Sequence, residues 1–299
     1  MSSNLHIGLI GLDTSHVDGL TGLFNDSSSQ HYVTDAQIVA AYPAGSPDFP
    51  LSIDRVTGYT DLARQRGVEI VESPEAVATN VDAVIMTSVD GRAHRALFER
   101  IVSCGKPTFI DKPFAVTHED ARAIVDMARA HGVPIMGASS LRFVDDLAEA
   151  LAEEDQGSIE GADFFGPMEI QPTQPGLFWY GIHTVEMLYA ALGQGCARVQ
   201  CITDDRRDAV IAQWSDGRVG TIRGWRTGNH QFGGTLHRSA GSRHIQPEIG
   251  RPKYVNLADH IINFFRSGNS SVAPEETVET IRFIEAANES RTTGKSVTL

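Results

Sequence analysis

Lys106-Pro107-Thr108-Phe109-Ile110-Asp111-Lys112-Pro113 sets a carboxylate, an ammonium and a proline in succession at the end of a β-rich stretch that leaves a turn at Gly105. A lysine at the carboxyl end of a parallel strand stands where open α/β sheets bind ligands. It can donate or accept a proton once its surroundings lower its pKa. A surface turn with an ordinary ion pair is the plain alternative for this segment alone. A second constellation is Trp179-Tyr180-Gly181-Ile182-His183-Thr184-Val185-Glu186. It reads as a helix start near Gly181, with His183 in the first turn and Glu186 on the same side one turn later. A helix N-terminus disfavours an imidazolium, so His183 is expected to be neutral near pH 7 and able to accept a proton, with Glu186 placed to orient it. A structural histidine beside an aromatic core pair is the alternative here.

A third element precedes both. Gly8-Leu9-Ile10-Gly11-Leu12-Asp13-Thr14-Ser15-His16 follows an apolar run, where a dinucleotide turn would read Gly-x-Gly-x-x-Gly. With Gly11 as the first glycine, Asp13 and His16 fall at the other two positions. Asp13 would repel a phosphate unless it points away, whereas Thr14 and Ser15 offer hydroxyl donors at the helix start. A plain N-cap by Asp13 or Thr14 is the alternative. The next apolar run ends in Ala41-Tyr42-Pro43 and lacks the acidic residue that usually meets the ribose hydroxyls. Asp48 and Asp54 lie further on. Thr87 and Ser88, with His94 shortly after, end another run and are candidates to line a cofactor channel or to cap a helix.

These residues need a scaffold. Apolar runs at 5–11, 36–42, 68–71, 81–87, 107–110 and 133–137 suit strands buried on both faces of a parallel sheet. Helical patterns separate them: 15–24, a start at Ser73-Pro74-Glu75, and Thr117-His118-Glu119-Asp120 in the manner of a capping box. Pro43 to Thr57, with three prolines, reads as a long irregular loop. Beyond Gly161, strand patterns at 162–165, 199–203, 209–214 and 219–225, with a hairpin signal at Asp216-Gly217, surround one strong helix at 182–192. Two helices, 256–266 and 274–290, end the chain. Gln171–Tyr180 and Thr227–Arg243 read as loops that set substrate specificity or subunit contact.

The expected class is α/β: an N-terminal Rossmann doubly wound parallel sheet over residues 1–140, then a C-terminal α/β domain with a large, mostly antiparallel open sheet over 141–299 for substrate binding and oligomerisation, the final helix free to pack back on the first. With 299 residues, two domains are the natural reading. A net charge of −13 disfavours nonspecific nucleic-acid or anionic-membrane binding. Cys104, Cys196 and Cys201 lack metal-ligand spacing and read as thiols of a reducing compartment. The histidines form no zinc motif, so no metal is expected. Met-Ser-Ser-Asn-Leu-His is not a signal peptide, no apolar run is long enough to span a bilayer, and the cytoplasm is the default location.

In order and spacing these segments resemble the Gfo/Idh/MocA family of oxidoreductases. The likeness is carried by the glycine turn, by AVIMTSVDGRAHRALFERIVSCGKPTFIDKPFAVTHEDARAIVDMARAHGVPIMGASSLRF with Asp111-Lys112-Pro113 in place of the family's Glu-Lys-Pro, by Gly181-Ile182-His183, and by the terminal FIEAANESRTTGKSVTL. It implies a site for NAD or NADP along Gly11, Asp13, Thr14, Ser15, His16, Thr87, Ser88, His94 and Asp111-Lys112-Pro113. It also implies catalysis by Lys112 and His183, with Arg142, Trp179, Tyr180 and Glu186 near a carbohydrate-like substrate. The implied reaction is hydride transfer at a hydroxyl or carbonyl of a sugar, sugar acid or cyclitol, in a homodimer or homotetramer formed through the C-terminal sheet. Trp179 stands where many members carry an aspartate four residues before the histidine. Two other readings stay open: a non-redox enzyme using retained NAD for glycoside elimination or hydrolysis, and a sugar-binding or regulatory protein with a decayed dinucleotide site.

Overall fold

A computed structural model describes residues 4–299; Met1 to Ser3, part of the segment read above for a leader, lie outside them. The chain divides into two compact units. Among the described residues the first comprises 4–115, 119–138 and 257–274, and the second 116–118, 139–256 and 275–299. Residues 257–274, most of the penultimate helix, thus group with the first unit.

The first unit runs β1 (Leu5–Ile10), α1 (His16–Phe24), β2 (Ala36–Tyr42), α2 (Pro50–Gln65), β3 (Glu69–Ile70), α3 (Pro74–Thr79), β4 (Ala83–Met86), α4 (His94–Ile101), β5 (Thr108–Asp111), α5 (His118–His131) and β6 (Ile135–Ala138). Its six strands are all parallel, in the order β3-β2-β1-β4-β5-β6. Strands β4, β5 and β6 are buried throughout, as both-face coverage by helices requires. The order reverses between β1 and β4, the crevice in which such sheets take ligands. Ser73 caps α3 by accepting the Ala76 N–H at 3.1 Å, with Pro74 in the first turn. The expected irregular loop after Pro43 is shorter than its prolines suggested: Pro50 itself opens α2, because a missing N–H costs nothing at a helix start.

The second unit contains α6 (Asp145–Ala152), β7 (Ile159–Pro167), α7 (Gly181–Leu192), β8 (Cys196–Thr203), β9 (Arg207–Trp214), β10 (Val219–Trp225), β11 (Gly233–Arg238) and β12 (Gly241–Ile245). The chain then forms α8 (Lys253–Ser267), most of which belongs to the first unit, and closes with α9 (Pro274–Thr293) and β13 (Val297–Thr298). Seven strands form a sheet in the order β12-β11-β7-β10-β9-β8-β13, antiparallel except where β7 meets β10. Helix α7 lies on it: a Cβ at Gly220 of β10 would fall 2.7 Å from Leu188.

Residues 227–243, read as a loop, contribute β11 and the start of β12. Gly233 and Gly234 are strand residues. A Cβ on either would meet the Phe165 ring at 2.5 Å or the Phe164 ring at 2.3 Å, so these positions admit the aromatic faces of β7.

Candidate functional site

Chemistry in the first unit gathers at the carboxyl ends of β1, β4 and β5. Gly11 follows β1 with φ +103°, and a Cβ there would lie 2.3 Å from the Ser88 backbone nitrogen. Only glycine lets the two turns touch. The Thr87 hydroxyl ties them further by donating to the Gly11 carbonyl at 2.5 Å.

Asp13 points inward. Its carboxylate is fully buried, accepting the Ser52 hydroxyl at 2.6 Å and the Val89 N–H at 3.0 Å. Burial raises its pKa above the ordinary aspartate value, against these bonds and the nearby His94. The expected repulsion of a phosphate is thereby removed from the surface of the turn. His94 is also buried, its ring nitrogens 2.8 Å from the Ser88 carbonyl and 3.1 Å from that of Phe114, so it braces two loops. Thr14 is nearly buried and Ser15 is exposed at the mouth of α1.

His16 and Asp111 meet across the crevice, Nδ1 to Oδ2 at 2.5 Å, both buried. Burial alone would raise the Asp111 carboxyl; His16 and Lys112 outweigh it and hold it below the usual carboxylate range. Its second oxygen, Oδ1, is buried without a hydrogen-bond partner among the described residues. Such an acceptor fits a ribose hydroxyl or a carboxamide N–H. Lys112 follows directly, half-buried, joined to Pro113 by a cis peptide bond. The glycine turn, the inward Asp13 and this orphan oxygen together fit a nicotinamide dinucleotide. No acid ends β2. Instead Asp48 holds Arg92 through two bonds of 2.8 Å, and Asp90 takes the same guanidinium.

The second unit supplies the histidine. His183 lies in the first turn of α7, its N–H donating to the Tyr180 carbonyl at 3.1 Å. The Tyr180 and Phe232 rings stand edge-on to it at 5.8 and 5.5 Å. The expected orienting partner, Glu186, is turned elsewhere. It is buried and bound to Arg142 at 3.2 Å, and Arg142 also pairs with Glu276. Arg142 and Glu186, expected at a substrate, thus face each other within this unit. Trp179 is buried against Tyr180, leaving Tyr180 and His183 half-exposed. The partner that sequence reasoning missed is Ser139, with Oγ 2.7 Å from His183 Nδ1.

Burial raises Glu186 to about 7, against Arg142 and with Glu276 adding to the rise. A carboxyl with a folded pKa above its unfolded one near 4.5 keeps its proton in the fold after the unfolded chain has lost it. Stability from this group is therefore complete below about pH 4.5 and declines as pH rises toward about 7. Melting temperatures of wild type and Glu186→Gln across that range are expected to diverge, the wild type falling relative to the variant. Parallel curves would disprove it.

Residues 8–138 match the model of an oxidoreductase family with an NAD-binding Rossmann fold, Gfo/Idh/MocA. That match covers less than half of the chain, and there the chain is similar to the Gfo/Idh/MocA family. Relatives include an inositol 2-dehydrogenase of Agrobacterium fabrum, 38% identical over 79 residues, covering 26% of this chain and 22% of that protein. Another, from Acidiphilium cryptum, is 28% identical over 179 residues, covering 54% and 50%. The aligned chain thus spans at most half of either relative. A structure of scyllo-inositol dehydrogenase from Lactobacillus casei, with bound NAD(H) and scyllo-inositol, matches with TM-score 0.81 at 15% identity over 99% of each chain. At that identity the likeness shows a shared fold over the whole chain.

Proposed function

We propose that the protein is an NAD(P)-dependent oxidoreductase acting on a hydroxyl or carbonyl of a cyclitol, sugar or sugar acid. The observation that carries this reading is the buried Asp111 beside Lys112 at the β1/β4/β5 ends, its Oδ1 without a hydrogen-bond partner among the described residues. Asp111 and the backbone around Gly11 would hold the dinucleotide, with Ser15 at the mouth of α1. When bound, the nicotinamide supplies the carbon that accepts or returns hydride. Removing hydride from a carbinol carbon requires its hydroxyl to shed a proton. His183 takes that proton and Lys112 stabilises the oxygen as it gains negative charge. The inositol 2-dehydrogenase names of the relatives favour a cyclitol as substrate.

The seven-stranded sheet exposes Ile202 at 71% and Ile211 at 50%, which supports pairing with a second copy through that face. Cys104, Cys196 and Cys201 are free thiols, and among the described residues no helix is long and apolar enough to cross a membrane. Both suit the cytoplasm. Calorimetric titration with NAD and NADP, followed by the nicotinamide absorbance change on adding myo- or scyllo-inositol, tests the function. Micromolar binding of one dinucleotide and accumulation of its reduced form are expected; binding of neither would end the reading.

A further inference from the structure

Ser139 is fully buried and fixed at the start of a short turn. It caps the short turn Ser140–Phe143, its Oγ accepting the Leu141 N–H at 3.2 Å. The same turn carries Arg142, which is held by the Glu186 and Glu276 carboxylates. The hydroxyl cannot swing aside without losing its cap. On the other side of the contact, the edge-on rings of Tyr180 and Phe232 restrict the plane of the imidazole. Two constrained groups thus meet at 2.7 Å. Trp179, four residues before the histidine, carries only an N–H donor and offers no acceptor for Nδ1–H.

We propose that Ser139 is the positioning residue of His183: its Oγ accepts the Nδ1–H and holds the tautomer in which Nε2 keeps its lone pair. The inference rests on the reading of His183 as acid and base. A hydroxyl oxygen accepts two hydrogen bonds. The Leu141 N–H takes one and His183 Nδ1–H the other, which leaves the hydroxyl hydrogen directed away from the ring. The same Nδ1–H bond persists when Nε2 gains a proton, so the imidazole does not turn during the transfer. Because the acceptor is neutral, it fixes orientation without adding a carboxylate's electrostatic support to the imidazolium.

Nitrogen NMR of the full chain, labelled with ¹⁵N-histidine, reads the tautomer directly, with His183 assigned by its loss in His183→Gln. At alkaline pH the wild type is expected to show a protonated-type Nδ1 and a lone-pair-type Nε2. Ser139→Ala should shift both nitrogens toward the opposite tautomer, and Ser139→Thr, which keeps the hydroxyl, should return them. In turnover, Ser139→Ala is expected to lose ~10-fold in kcat with KM little changed, the lower range for loss of an orienting partner. An Nε2–H tautomer in the wild type, or unmoved shifts in Ser139→Ala, would overturn the proposal. The shifts need neither cofactor nor turnover, so they stand apart from any failure of the oxidoreductase reading.

Discussion

His183→Ala is expected to lower kcat by at least ~100-fold, the scale on which a positioned acid/base acts, while dinucleotide affinity stays within about twofold. The separation follows from where the side chain sits. His183 is half-exposed at the start of α7, and its residue is not among those at the β1, β4 and β5 ends that fit the dinucleotide. Removing the ring deletes edge contacts to Tyr180 and Phe232 and the bond to Ser139. The helix keeps its backbone, and Thr184 still donates to the Gly181 carbonyl at 2.8 Å. Alanine is also a good helix former, so the melting temperature should move little. Calorimetry and steady-state kinetics on the same preparation check both halves. Full turnover in the variant would remove His183 from the chemistry.

The first unit was legible in the sequence because its strands are buried on both faces and so appear as continuous apolar runs. All six were placed within a few residues. The second unit was read less completely, and for a definite reason. Strand β11 is built on Gly233 and Gly234, whose missing side chains make room for Phe164 and Phe165. Glycine there denotes a close approach across the sheet, which a linear reading takes for a loop. The site divides in the same way. Lys112 and His183 were singled out as candidates because each stands at a recognisable terminus, a strand end and a helix start. The inward turn of Asp13 toward Ser52 and Val89 joins residues 39 and 76 positions apart, and no local pattern encodes it. Ser139 was missed for a similar reason: it is 44 positions from His183. Glu186 was favoured as the orienting group because helical spacing places it near the histidine. Spacing does not reveal that Arg142 has already engaged its carboxylate.

Lys112→Met, which keeps the length of the side chain and removes its charge, is expected to cost at least ~100-fold in kcat/KM. Two effects contribute. The ammonium is lost from the oxygen that becomes negative, and Asp111 is left with His16 as its remaining named counter-charge. The Asp111 carboxyl should therefore rise toward its ordinary value, weakening its hold on any ribose hydroxyl, so dinucleotide affinity should fall as well. His183→Ala is not expected to show that second effect. Lys112→Arg should not rescue turnover, because a planar, bulkier guanidinium cannot place its charge where the compact ammonium does. The decisive measurement is the double variant. If Lys112 and His183 act on the same oxygen in one step, loss of either already disables that step. The double variant should then be little slower than the worse single one, as for groups that work as a unit. Fully multiplicative losses would mean that the two residues serve different steps, and the mechanism drawn from them would have to be abandoned.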